Sequence, residues 1–179
     1  MESKTRSLTL WGTILALASP GLMYFLNYWE DGGKKQETYV VYADSLAGGL
    51  ATACNGITEW TSPVPVIVGD VWTKAKCDEI GQQIVETTQR GLAKFLRVAV
   101  PQSIFDALSS HAHNVGVGST CASLAVARIN DGRSAEGCDL IAWTPEGRPN
   151  WSFVRGRFVQ GLHNRRLSER RLCLQGAEL

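Results

Sequence analysis

The chain has 179 residues, 44% of them hydrophobic, with 18 Lys and Arg against 17 Asp and Glu for a formal charge of +1. That length supports one sizeable core in a single two-lobed domain, and the composition excludes a disordered chain. Near-neutrality excludes a whole-molecule field that would draw the protein onto nucleic acid or anionic lipid, so nucleic acid is not expected as a partner. Basic residues crowd the end of the chain, at Arg148, Arg155, Arg157, Arg165, Arg166, Arg170 and Arg171. A solvated helix face is the simplest expectation for them.

No Asp, Glu, Lys or Arg occurs between Arg6 and Glu30. As a helix, the uncharged stretch 7–29 would extend about 34 Å at 1.5 Å per residue, enough to cross a bilayer. Lys4 and Arg6 before it and Glu30 and Asp31 after it would leave the amino terminus in the cytoplasm. Thr9, Gly12, Thr13, Ser19, Pro20 and Gly21 dilute its hydrophobicity. Three readings stay open: a weak transmembrane anchor that can leave the lipid, a cleaved signal peptide with Ala16-Leu17-Ala18 in small-x-small form, and a buried core helix. The length and the flanking charges favour the anchor. The expected division is an N-terminal apolar helix in 1–29 and a body in 30–179.

Residues 39–58 hold the β-branched and aromatic residues, Gly48-Gly49 and Asn55-Gly56 of short strands joined by tight turns, which predicts a small antiparallel sheet. Thr73 offers an N-cap to a long helix with Ile80, Ile84, Leu92 and Phe95 inward. Pro101 opens the next helix, with Ile104, Phe105, Leu108 and Ala112 inward, and Gly116 and Gly118 close it. Further helices are expected around 119–129, 135–143 and 159–174. A small sheet followed by a helical body is an α+β plan.

The five cysteines are too widely spaced for a zinc motif, and neither CxxC nor HExxH occurs, so no metal or cofactor is expected. Export would oxidise them into two disulfides and one thiol. Cys54 and Cys77 bracket a Pro-containing strand region, and Cys138 and Cys173 sit in two late helical segments. Those two pairs are expected, leaving Cys121.

In order along the chain come Glu30, YADSLAGGLATACNGIT, QSIFDALSSHAHNVGVGS, GCDLIAW and GLHNRRLSERRLCL. This series resembles the phage-type lysozymes of glycoside hydrolase family 24, and the resemblance covers nearly everything after Trp29. It implies a lysozyme-like fold: a small antiparallel sheet lobe and a mainly helical lobe joined by a long helix. It further implies an endolysin, a muramidase that cleaves the β-1,4 bond between N-acetylmuramic acid and N-acetylglucosamine and causes host cell lysis as a monomer. The uncharged start is similar to the signal-arrest-release segment of exported endolysins. That likeness implies contact with the host inner membrane through residues 7–29 and release to the periplasm.

The family's catalytic set is a Glu, an Asp and a Thr, usually with eight residues between the first two and five between the last two. Counting back strictly from Asp44 lands on Lys35, which cannot serve as the acid. The candidates are Glu30, with an inserted loop behind it, and Glu37, which stands two residues too close. Glu30 is preferred because Trp-Glu at the end of an apolar helix resembles the family's context, and Trp29 with that helix should desolvate it. Thr52 lies eight positions after Asp44, with Gly48-Gly49 suggesting an enlarged turn. Glycosidic cleavage needs one protonated carboxyl to donate to the leaving oxygen and a second carboxylate to orient water or offset positive charge on the sugar. Each residue alone also has an ordinary explanation, as a membrane-exit charge, a turn former and a strand residue. His111 and His113 are expected to be packed or at the surface, and Trp60 and Trp151 are candidates for stacking on sugar rings. A lytic transglycosylase, or a non-catalytic wall-binding protein on a decayed lysozyme scaffold, is the rival reading.

Overall fold

The computed structural model describes residues 6–31, 39–45, 48–54 and 56–177. The chain forms two compact units, one from the segment up to Leu22 together with Thr88–Leu179, the other from Met23–Thr87.

The apolar helix expected in 1–29 does not form. Strands β1 (Ser7–Leu10) and β2 (Thr13–Ala16) pair as an antiparallel hairpin, and helix α1 (Pro20–Asp31) begins only after it. The reason lies in the residues. Ser7-Leu8-Thr9-Leu10 alternates with period two, which suits a half-buried strand rather than a helix. Trp11 and Gly12 occupy the two turn positions with φ of 50° and 85°, the left-handed pair that a tight hairpin requires. Ser19 and Pro20 then supply the N-cap and first position of α1, where a proline costs no hydrogen bond. Leu15 and Leu17 are buried, and Trp11 Nε1 donates to the Leu96 carbonyl at 3.0 Å. Among the described residues no helix is long and apolar enough to cross a membrane.

In the unit 23–87, strands β3 (Tyr42–Asp44), β4 (Leu50–Ala53) and β5 (Ile57–Thr58) form an antiparallel sheet in sequence order. Helix α2 (Lys74–Ala93) follows, its start capped by Thr73, whose Oγ1 accepts from Lys76 N at 3.1 Å. Val41, Ala53, Ile57, Val66, Trp72, Cys77 and Ile80 make this unit's core. The lead-in to β3 is held from the side, with Val41 N donating to the Asp70 carbonyl and Trp72 N to that of Tyr39, each at 2.8 Å. Cys54 is bonded to Cys77, which ties the turn after β4 to the first turn of α2.

The other unit holds α3 (Gln102–Val115), α4 (Val117–Cys121), α5 (Leu124–Asn130), α6 (Ser134–Ala142), the hairpin β6 (Phe153–Val154) with β7 (Arg157–Phe158), and α7 (Gln160–Ala177). Three expectations change here. The helix expected around 119–129 is two, because Ser123 turns extended and caps α5 by accepting from Val126 N. Phe95 lies beyond the end of α2 and is exposed. The β6–β7 hairpin was not anticipated, its strands being too short to show a period. Leu15, Leu17, Leu92, Phe105, Leu108, Ile129 and Ile141 form one apolar cluster around the Cys138–Cys173 bond, and Cys121 is free. With sequence separations of 23 and 35 between the bonded cysteines, each bridge stabilises the fold by about 3 to 4 kcal/mol in the loop-entropy picture.

Candidate active site

The sheet of the 23–87 unit sets two of the three expected residues side by side. Tyr42 pairs with Thr52 and Asp44 with Leu50, so Asp44 and Thr52 are diagonal neighbours on one face of the β3–β4 ladder. Thr58 lies directly opposite Thr52 and extends that face onto β5. The excess length between Asp44 and Thr52 is taken up in the connection between the strands, which Gly49 N closes by donating to the Asp44 carbonyl at 2.7 Å. Gly48 and Gly49 have φ of 71° and 89°, which a side chain would oppose. Thr52 is buried and its hydroxyl donates to the Leu50 carbonyl at 3.1 Å, while Asp44 is half-buried.

Glu30 belongs to the same unit, in the last turn of α1. It continues the four-residue spacing of the buried Leu22 and Leu26, which places it on that side of the helix. The desolvation expected from Trp29 does not occur, because Glu30 is exposed and the Trp29 ring packs instead on Phe25 and Tyr28. Glu37, the alternative acid, lies outside the described residues. Among the described residues there is no group of His, Cys, Asp and Glu able to hold a metal ion. Trp60 is 80% exposed in the turn after β5. Trp151 is half-buried, with its ring edge-on to His111 at 5.1 Å.

The unit containing α3–α7 carries a buried polar cluster that sequence reasoning missed. Arg165 and Arg166 are buried, contrary to the solvated face expected for them. Glu169 accounts for this, accepting from Arg166 Nη2 at 2.7 Å, Arg165 Nε at 3.2 Å and Ser110 Oγ at 2.7 Å. Burial pushes the Glu169 carboxyl above its usual range, against the pull of Arg166, Ser110 and Arg165. Beside them His111 is pulled down to about 3, by burial first and then by the Arg166 and Arg165 charges. Its Nδ1 lies 2.8 Å from Thr120 Oγ1, and that hydroxyl donates to the Gly116 carbonyl, so neutral His111 carries its proton on Nδ1. The same-spaced pair Arg165 and Glu169 was the available signal.

A pH dependence follows from His111. Between pH 6.5 and about 3 the unfolded chain binds a proton that the folded protein refuses, so this stability is present above pH 6.5 and is lost as pH falls. The slope approaches about 1.4 kcal/mol per pH unit. Glu169 and Asp106, both shifted up by burial, act in the opposite sense, so the comparison has to be between variants. Wild type is expected to lose on the order of 2 to 3 kcal/mol more than His111→Gln between pH 7 and pH 4.5 in urea melts. Parallel losses would show that His111 is protonated in the fold.

A small antiparallel sheet in one unit and a helical body in the other define a lysozyme-like protein, and solved structures agree. An endolysin from Escherichia coli O157:H7 phage FAHEc1 superposes with a TM-score of 0.68 at 26% identity, covering 88% of this chain and 92% of that one. The muramidase domain of SpmX from Asticaccaulis excentricus shares the fold, with a TM-score of 0.67 at 21% identity, over 87% of this chain and 96% of that one. The phage lysozyme family model matches residues 34–169, and this chain belongs to that family. It is a glycoside hydrolase of the muramidase type. The SAR-endolysin of Enterobacteria phage P21 is 29% identical over 146 residues, covering 82% of this chain and 81% of that protein. The family match includes Glu37, Asp44 and Thr52 and begins after Glu30.

Proposed function

We propose that this enzyme cleaves the β-1,4 bond between N-acetylmuramic acid and N-acetylglucosamine in peptidoglycan, as a monomer, with Glu30 as the proton donor. Asp44 orients the attacking water and offsets positive charge on the sugar, and the Thr52 oxygen accepts a hydrogen bond from that water. Glu30 passes its proton to the leaving glycosidic oxygen as the bond to the anomeric carbon breaks, and the water oxygen bonds to that carbon while its proton passes to the Asp44 carboxylate. The observation that carries the reading is the placement of Asp44 and Thr52 on one sheet face in the same unit as Glu30. The glycan itself would exclude water from Glu30 once bound.

The body starts, on this reading, tethered to the host inner membrane by residues 7–29 and is released to the periplasm, where the first part of the tether becomes the β1–β2 hairpin and the rest falls in α1. The support is the uncharged run in the sequence and the likeness to the SAR-endolysin of phage P21. Digestion of purified murein followed by mass spectrometry tests the chemistry. Products carrying an added water at muramic reducing ends are expected. Anhydro-muramic ends would make the enzyme a lytic transglycosylase instead, and no products at all would make it a binding protein.

A further inference from the structure

Arg155 and Arg157, expected on a solvated helix face, lie instead on the β6–β7 hairpin, where nothing neutralises them. Phe153 pairs with Phe158 and Val154 with Arg157, so the two phenyl rings share one face and Arg155 stands in the turn. Both arginines are exposed, and Phe153, Val154 and Phe158 are about half-exposed. No Asp or Glu occurs between Glu146 and Glu169. Among the described residues every other arginine from Arg128 to Arg170 is ion-paired, whereas Arg155 and Arg157 have no such partner.

The base of the hairpin is well held. Val159 N donates to the Ser152 carbonyl at 2.8 Å, and Ser152 Oγ lies 3.2 Å from His163 Nδ1. The Phe158 ring packs on Phe153 and on His163, each at 5.6 Å, and His163 stands edge-on to Trp143 at 4.9 Å. The turn goes against ordinary preference. Arg155 has φ 48° and Gly156 φ 78°, the left-handed pair of a two-residue turn, whose first place usually goes to Asn, Asp or Gly. An arginine in that conformation does not help the fold, and strain of this kind gathers where a chain meets a ligand.

Exposed guanidinium groups donate paired hydrogen bonds to planar carboxylates, and the rings beside them offer an apolar surface to methyl groups or a sugar face. Murein presents both, since short peptides with free carboxylates recur along its glycan. A bilayer fits less well. Arg155 and Gly156 would enter it first with the rings behind them, and a charged side chain is costly to carry into hydrocarbon.

We propose that the β6–β7 hairpin is a docking surface for murein, on which Arg155 and Arg157 bind stem-peptide carboxylates while Phe153 and Phe158 pack on the adjoining apolar atoms. The surface belongs to the unit of α3–α7 and takes no part in bond cleavage. Because the carboxylates recur, a molecule that lets go of one meets the next at high effective concentration and stays on the wall. The proposal takes murein as the polymer from the function proposed above.

The test measures retention of the whole protein on insoluble murein sacculi, in the cold and with Asp44→Asn throughout so that the polymer stays intact. Adding Arg155→Gly and Arg157→Thr removes both charges and suits the turn and the strand, so the hairpin is kept. Roughly tenfold weaker binding is expected from losing two charge-assisted contacts. Arg155→Gln with Arg157→Gln serves the same purpose if the first pair does not fold. Sacculi whose carboxyl groups have been converted to neutral amides should hold the parent as weakly as untreated sacculi hold the variant. Equal retention of parent and variant on untreated sacculi overturns the proposal, as does parent binding that survives amidation. Arginine-dependent binding to phosphatidylglycerol vesicles, with none to sacculi, makes the hairpin a membrane contact and overturns it too. Murein digestion by the wild type separates this surface from the reading beneath it. Arginine-dependent binding without cleavage removes the muramidase and keeps the surface; cleavage without arginine-dependent binding removes only the surface.

Discussion

Glu30→Gln is expected to abolish murein cleavage, with a loss on the order of a thousandfold in kcat, while Glu37→Gln keeps substantial activity. A positioned general acid contributes about 10² to 10⁴ in rate, and an amide of the same shape removes the proton without removing the side chain. Glu30 is on a regular helix, on the side marked by Leu22 and Leu26, in the unit that also holds Asp44 and Thr52. That attachment gives it the fixed geometry that an acid needs. Melting curves should be nearly unchanged, because Glu30 is exposed and surface substitutions seldom move stability by more than about 0.5 kcal/mol. The reverse pattern, an inactive Glu37→Gln beside a fully active Glu30→Gln, moves the acid to Glu37. Asp44→Asn belongs in the same series as the second carboxylate and should fail as well.

How far the sequence could be read differs from element to element. Helices α2 and α3 were legible because Thr73 and Pro101 mark their starts and their apolar residues keep helical spacing. The β3–β4 ladder was legible through its β-branched residues and the Gly48-Gly49 turn, and register then placed Asp44 and Thr52 on one face without further assumption. In the N-terminal segment the order of the residues, and not its length or absence of charge, decides the local structure. Averaged hydropathy does not distinguish an uncharged helix from an uncharged hairpin, whereas the alternation from Ser7 to Leu10 and the Trp11-Gly12 turn do. The buried hydrogen bonds to Ala16 and Ser19 were invisible for another reason. Gln102 and Asp106 stand four apart on α3, but Ala16 and Ser19, to which their side chains hydrogen-bond, are more than eighty residues away in sequence.

Raising or lowering the hydropathy of the hairpin's outer face is expected to move the protein between membrane and solution without changing the purified enzyme. The proposed tether and the docked hairpin are two states of the same residues, so the useful substitutions alter one state only. Thr9 and Ile14 are cross-strand partners and both are exposed, as is Ser7, so none of the three is part of the buried core. Ser7→Leu with Thr9→Leu adds two residues that each favour insertion by about 0.3 to 0.6 kcal/mol. That protein should stay in the membrane fraction longer and delay lysis. Ile14→Thr replaces an exposed apolar residue by one that still suits a strand, and it should leave the membrane sooner and hasten lysis. Leucine at Gly12 would be a poor probe, since it opposes the φ of 85° that the docked hairpin needs. After purification all three proteins should digest murein within about twofold of one another, as exposed sites allow. Fractionation before and after collapse of the membrane potential reads the effect. Identical partitioning of all three, or a mature protein that has lost its residues through Ala18 to a signal peptidase, would rule out the tether and leave the muramidase in place.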